Sequence, residues 1–175
     1  IKEKKYQHYQ NQEQCLYRFY QEKDFFQLCE TLHTIFFEEN FPCLEDKIQS
    51  LVCQKPTAIE VLEAITKVFP NQKGIPQNTK SACKRLCLFL RWMIRKNSEV
   101  DFGIWNILQE KDLIIPLDTH VFRISKQLSL TNRKQAYILT AIQITEKLKI
   151  TFPDDPLLGD YALFGYGVKH QEKTK

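Results

Sequence analysis

The stretch TKSACKRLCLFLRWMIRKNS (residues 79–98) holds six basic residues, Lys80, Lys84, Arg85, Arg91, Arg95 and Lys96, and no acidic one. At about 100° per residue, Leu86, Phe89, Leu90 and Met93 fall on one side of a cylinder. Lys84, Arg91 and Arg95 fall on the other, sharing that side with Leu88. The spacing predicts a helix over about 80–96 that buries one face and gathers its cations into a single ridge. A ridge of one sign suits a polyanionic partner, whose phosphates it would meet without reading sequence.

Helical spacing continues outward from there. Leu28, Leu32, Ile35 and Phe36 form a stripe within residues 13–39, with Asp24 as a helix cap and Phe41-Pro42 as the stop. Leu44, Ile48, Leu51 and Val52 predict a short amphipathic helix over 44–54, ended before Pro56. Thr57 followed by Glu60 has the form of a capping box and starts a helix to about Phe69, with Val61, Leu62 and Ile65 inward. Residues 70–78, PNQKGIPQN, read as a loop.

Downstream, a short helix is expected at 102–109, then an extended apolar run from Leu113 to Leu117. Asp118 follows as the N-cap of a helix through Val121, Ile124 and Leu128. Two more helices are expected at about 134–149 and 157–168, the second entered through Asp155-Pro156. No strand pair, repeat or low-complexity tract stands out. The expected fold class is all-α, a single helical domain over 1–175 with a frayed tail at 169–175.

Composition agrees with this reading. Of 175 residues, 43% are hydrophobic and 26% charged, with five Gly and seven Pro to punctuate turns. The formal charge is only +4, so the cluster at 79–98 says more than the sum. No apolar run reaches the roughly 18 residues of a membrane span. The first residues, IKEKKYQHYQ, lack both an initiator Met and the apolar core of a secretory signal, and a chain that begins inside a longer protein is expected. The six cysteines then read as reduced thiols. Cys83 and Cys87 share a helix face but lack a second ligand pair, so no metal site is expected.

Two residues invite chemistry. Lys84 stands in the first turn of its helix, where the helix dipole disfavours a cation, beside Lys80 and Arg85. Such surroundings, with burial, would favour the neutral amine that a Schiff-base nucleophile requires. The competing reading is a lysine on a solvated basic ridge. Asp118 has a structural role ready-made as a helix cap. Its place directly after an apolar run would also suit a carboxylate that steadies developing positive charge.

The segment Leu117-Asp118-Thr119-His120-Val121-Phe122-Arg123 resembles the Val-Asp-Thr-His segment of endonuclease III-type DNA glycosylases. The helix from Ser81 to Leu90 occupies the place of that superfamily's lysine-bearing helix, and Asp160 to Gly167 resembles its late helix. More closely, Ser81–Arg95, Leu113–Val121 and Asp154–Val168 (DDPLLGDYALFGYGV) are similar to the DUF2400 family, over nearly all of residues 15–168. Members of that family have additional residues at the front, in keeping with an N-terminal truncation.

Departures from the helix-hairpin-helix (HhH-GPD) glycosylase pattern are also legible. Asn78-Thr79-Lys80-Ser81 stands where a Gly-x-Gly turn would precede the lysine, so helix-start amides with Thr79 and Lys80 would have to hold a phosphate. The 34-residue interval from Lys84 to Asp118 is closer to that of the archaeal 8-oxoguanine glycosylases. No four-cysteine cluster follows the last helix, so no iron–sulfur cluster and no other cofactor are expected.

The resemblance implies a base-excision glycosylase with AP-lyase activity on an oxidised purine such as 8-oxoguanine. Lys84 and Asp118 would be catalytic, and Thr79, Lys80, Arg85, Arg91 and Arg95 would meet DNA, with Lys96 extending the ridge. Trp92, Trp105, Tyr161 and Phe164 would stack on a flipped base, and Asp160 would accept a hydrogen bond from its edge. The partner would be damaged double-stranded DNA, bound by a monomer in a bacterial cytoplasm, at the nucleoid. Two readings compete: a non-catalytic DNA-binding protein of the same fold, and a helical domain whose ridge meets an acidic protein. Ser81-Ala-Cys-Lys84 also matches the Ser-x-x-Lys pattern of penicillin-recognising enzymes, but their further motifs are missing.

Overall fold

The computed structural model describes residues 1–96 and 98–169. The described residues form seven α-helices: α1 (Glu22–His33), α2 (Leu44–Gln49), α3 (Ala58–Val68), α4 (Lys84–Ile94), α5 (Thr119–Gln127), α6 (Ile138–Lys149) and α7 (Leu158–Lys169). The all-α expectation therefore holds. Of the expected frayed tail, Lys169 ends α7 and the rest lies outside the described residues.

Local chemistry accounts for most boundaries. Thr57 and Glu60 close the capping box of α3, with Glu60 N–H donating to Thr57 Oγ1 and Thr57 N–H to Glu60 Oε2. Val61, Leu62, Ile65 and Phe69 all turn inward as their spacing required. Asp118 Oδ1 accepts from Val121 N–H at 2.7 Å and caps α5. α4 starts abruptly at Lys84 because Cys83 sits at φ +48°, a left-handed turn that no helix continues through.

Several expectations change. Residues 13–21 are not helical: Cys15–Tyr17 (β1) and Tyr20–Gln21 (β2) form a small antiparallel hairpin, so the chain does contain a strand pair. Helix α1 begins only at Glu22, and Asp24 is its third residue, closing a capping box by accepting from Gln21 N–H at 2.8 Å. The predicted helix at 102–109 is absent. There the N–H groups of Phe102, Gly103 and Trp105 fold back onto the carbonyls of Trp92 and Met93 at the end of α4. Those orphan carbonyls claim the amides that a local helix would have used. Leu51 and Leu128, assigned inward by periodicity, are exposed because each helix ends before reaching them.

One continuous core joins Val61 and Leu62 of α3, Leu86, Leu90 and Ile94 of α4, Val121 and Ile124 of α5, and Ala141 and Ile144 of α6. The Leu113–Leu117 run threads through it in extended form, with Ile115 fully buried. Its backbone has no strand partner; Thr145 of α6 takes the Ile115 N–H at 3.0 Å instead. Helix α7 lies tightly on α5. A methyl at Gly167 would stand 3.0 Å from His120 Cβ and 3.2 Å from Ile124 Cγ1, and Arg123 of α5 donates to the Gly167 carbonyl at 2.8 Å. That close approach positions the site, because Asp160 and Tyr161 of α7 also reach Arg91 on the polar side of α4.

Candidate active site

Two elements far apart in the chain end at one spot. Helix α4 begins with Lys84, and the buried 113–117 run emerges at Asp118. The Lys84 Nζ lies 3.3 Å from Asp118 Oδ2. The carboxylate is nearly enclosed, one oxygen held by the α5 amide and the other by the lysine, whereas the lysine side chain is about half-exposed (49%). Burial therefore adds nothing to the surroundings of the Lys84 amine. An amine open to solvent, tethered to a sunken carboxylate, is accessible to a large substrate.

Beneath this pair lies Asp160 of α7, 7% exposed, within electrostatic reach of both Lys84 and Asp118. Its Oδ2 accepts from Arg91 Nη1 at 2.9 Å. Arg91 also faces Asp101 at 3.4 Å and donates to the Tyr161 hydroxyl, with its guanidinium 4.2 Å from the Tyr161 ring centroid. Arg95 continues the chain, to Asp155 at 2.6 Å and Asp101 at 3.2 Å. Burial opposes the charge on Arg95, but these two carboxylates outweigh it and hold the guanidinium more firmly protonated than usual.

The exposed-ridge expectation for Arg91 and Arg95 is therefore corrected. Both are buried, at 5% and 4% exposure, and committed to carboxylates. The physical reason is that α7 and the segment around Asp101 cover the side of α4 that an isolated helix would leave to water. Trp105 is corrected as well: it is buried in the core, edge-on to Phe89 at 5.2 Å, not a pocket wall.

The remaining sequence candidates do lie at the surface. Trp92 is 39% exposed and Phe164 45%, the latter edge-on to His120 at 6.1 Å. Lys80 and Arg85 are exposed about the start of α4, with Arg85 donating to the Gly74 carbonyl. Lys96 is exposed at the far end of α4 and donates to Asn106 at 2.7 Å. Thr79 is half-buried and donates to Glu63. The six cysteines are free thiols, and burial raises the pKa values of Cys29, Cys83 and Cys87. Among the described residues no helix is long and apolar enough to cross a membrane.

A family model described as protein of unknown function (DUF2400) matches residues 1–169, so it spans every element of this site. The chain belongs to the DUF2400 family. No curated protein and no solved structure matches it.

In this DUF2400 fold, sequence reasoning missed Asp101 and gave Asp155 only a helix-entry role. The available signal was the i, i+4 series Cys87–Arg91–Arg95, which borders Leu90 and Ile94 and so cannot be wholly solvated. Two guanidiniums on such a border require buried acids.

Two guanidiniums face three carboxylates here, among them Asp160. Burial raises its carboxyl to about 6; the Asp118 carboxylate adds to the effect, and Arg91 and Lys84 oppose it. The unfolded value is about 3.9. The folded protein therefore binds the extra proton between about pH 4 and pH 6, and stability falls as pH rises through that window. The loss is on the order of 1–3 kcal/mol. Melting curves of the wild type and Asp160→Asn, which keeps an acceptor for Arg91, should diverge as pH rises from 4 to 6, with the variant the flatter of the two. Parallel pH profiles would contradict this origin.

Proposed function

We propose that this protein is a DNA base-excision glycosylase with lyase activity, a divergent member of the HhH-GPD superfamily. The observation that carries the reading is the contact between Lys84 Nζ and Asp118 Oδ2, made across 34 residues between the two segments that resemble the glycosylases.

In this chemistry the duplex is held through its phosphates and the damaged nucleotide is turned out of the stack. Lys84, having passed its proton to solvent, attacks C1′ of the sugar. The bond from C1′ to the base breaks, and the base leaves with that electron pair and takes up a proton. Asp118 stabilises the positive charge that builds on the sugar in between. Opening of the sugar ring then yields an imine between Lys84 and C1′. Loss of a C2′ proton expels the 3′ phosphate and nicks the strand. Of the aromatics assigned to stack on the base, Trp92, Tyr161 and Phe164 are exposed, and an oxidised purine such as 8-oxoguanine is the substrate class that the long lysine–aspartate interval favours.

Borohydride reduces such an imine to a stable amine, so the test is covalent trapping with duplexes carrying 8-oxoguanine or an abasic site. A protein–DNA adduct is expected; its absence with both duplexes would overturn the reading. Phosphate contacts are assigned to Lys80 and Arg85. Lys80→Gln and Arg85→Gln are each expected to lower the slope of log affinity against log salt by about 0.9. Duplex titrations from low to moderate salt measure this, and an unchanged slope in both variants would place the phosphates elsewhere.

A further inference from the structure

The hairpin at 15–21 presents apolar side chains to water with no core to justify them. All three residues of β1 are exposed, Tyr17 by 63%. The hairpin is nevertheless firmly seated. Tyr20 packs so closely on Gly74 that a methyl there would collide with its hydroxyl. The Phe19 ring lies between Lys73 at 5.9 Å and Arg85 at 5.6 Å. Arg85 neighbours Lys84, so the hairpin, the Gly74 loop and the start of α4 form one packed unit beside the candidate site.

The charge around this apolar point is mostly positive. Arg18 stands at the turn, at φ +54°, with its guanidinium 5.2 Å from the Tyr17 ring centroid. Among the described residues Arg18 and Arg85 make no ion pair, whereas Lys73 is paired with Asp24 and Lys23 with Glu13. A protruding aromatic set among unpaired cations is what a side chain needs to enter a stacked duplex: the cations meet phosphates while the ring replaces a lost stacking partner.

Resting on the glycosylase reading, we propose that Tyr17 is a wedge that enters the base stack of duplex DNA next to the nucleotide delivered to Lys84, with Arg18 and Arg85 on the flanking phosphates. The anchoring of Phe19 and Tyr20 resists the push of the stack. The wedge offsets part of the unstacking free energy of a few kcal/mol that extrusion of a base requires.

The test uses a duplex with 2-aminopurine at the base pair next to a tetrahydrofuran abasic analogue, which cannot react. Saturating wild-type protein is expected to raise the fluorescence several-fold as 2-aminopurine loses its stack. Tyr17→Ser should abolish most of the rise while still binding at low salt, and Tyr17→Phe should restore it. Because Tyr17 is exposed, all three proteins should melt together. An equal rise with Tyr17→Ser, or no rise with bound wild type, overturns the wedge. Borohydride trapping on the abasic duplex keeps the two claims apart. An adduct with a Tyr17-independent signal removes the wedge alone. No adduct with a Tyr17-dependent signal removes the chemistry alone. Failure of the wild type to bind duplex, with or without capture of an acidic protein, overturns both.

Discussion

Lys84→Gln is expected to eliminate the borohydride-trapped adduct while leaving the fold intact. The amide of glutamine is not nucleophilic and forms no imine, so no covalent path remains. The structural cost is small because the side chain is about half-exposed and its ion pair with Asp118 faces solvent on the lysine side. Partly exposed pairs of this kind contribute about 0–1 kcal/mol. Asp118 keeps its bond from Val121 N–H, so α5 keeps its cap. Asp118→Asn separates the second role from the first. Asparagine caps a helix about as well as aspartate, so stability should hold. The negative charge opposite the developing sugar cation is lost, and single-turnover base release should slow by about 10²–10³-fold. Trapping and single-turnover assays at one pH measure both effects. An adduct that survives in Lys84→Gln would move the nucleophile elsewhere.

Arg91→Ala should have the largest effect on stability. Its guanidinium, 5% exposed, faces Asp101, Asp160 and the Tyr161 hydroxyl at once. Truncation would leave two enclosed carboxylates facing only what Arg95 can supply, and a cavity besides. Removing one partner of a buried ion pair costs about 3–5 kcal/mol. For a chain of this size each kcal/mol lowers the melting temperature by about 2–4 °C, giving a drop of about 6–20 °C. Arg85→Ala, an exposed residue on the same helix, should shift it by no more than a degree or two, since surface changes stay within about 0.5 kcal/mol. Thermal denaturation followed by circular dichroism compares them. Equal, small shifts in both variants would mean that Arg91 is solvated and the buried network is not formed.

The misreadings have a common form. Residues 13–21 fall within the stretch read as helical, yet every residue of its stripe lies at Leu28 or beyond; the hairpin there gains its place by seating Tyr20 and Phe19 on the Gly74 loop, a contact distant in sequence. At 102–109 an amphipathic-looking segment lost its amides to the end of α4. In both places a distant partner outbid a weak local preference.

Local chemistry by itself determined the helices with strong periods and closed caps. It determined the Thr57–Glu60 box, Lys84 in the first turn of its helix, the apolar run ending at Asp118, and Asp118 as the cap of α5. Each depends on residues within a few positions of one another, so periodicity and capping suffice. Which face of α4 meets water could not be settled that way. The basic side of that helix is a ridge only while it is alone. Once α7 crosses it, held close by Gly167 against α5, Asp101, Asp155 and Asp160 turn Arg91 and Arg95 from surface cations into a buried network. The same packing brings Lys84 within 3.3 Å of Asp118 and leaves its amine open to solvent. Burial and charge pairing belong to neighbours far along the chain, and only the tertiary structure supplies them.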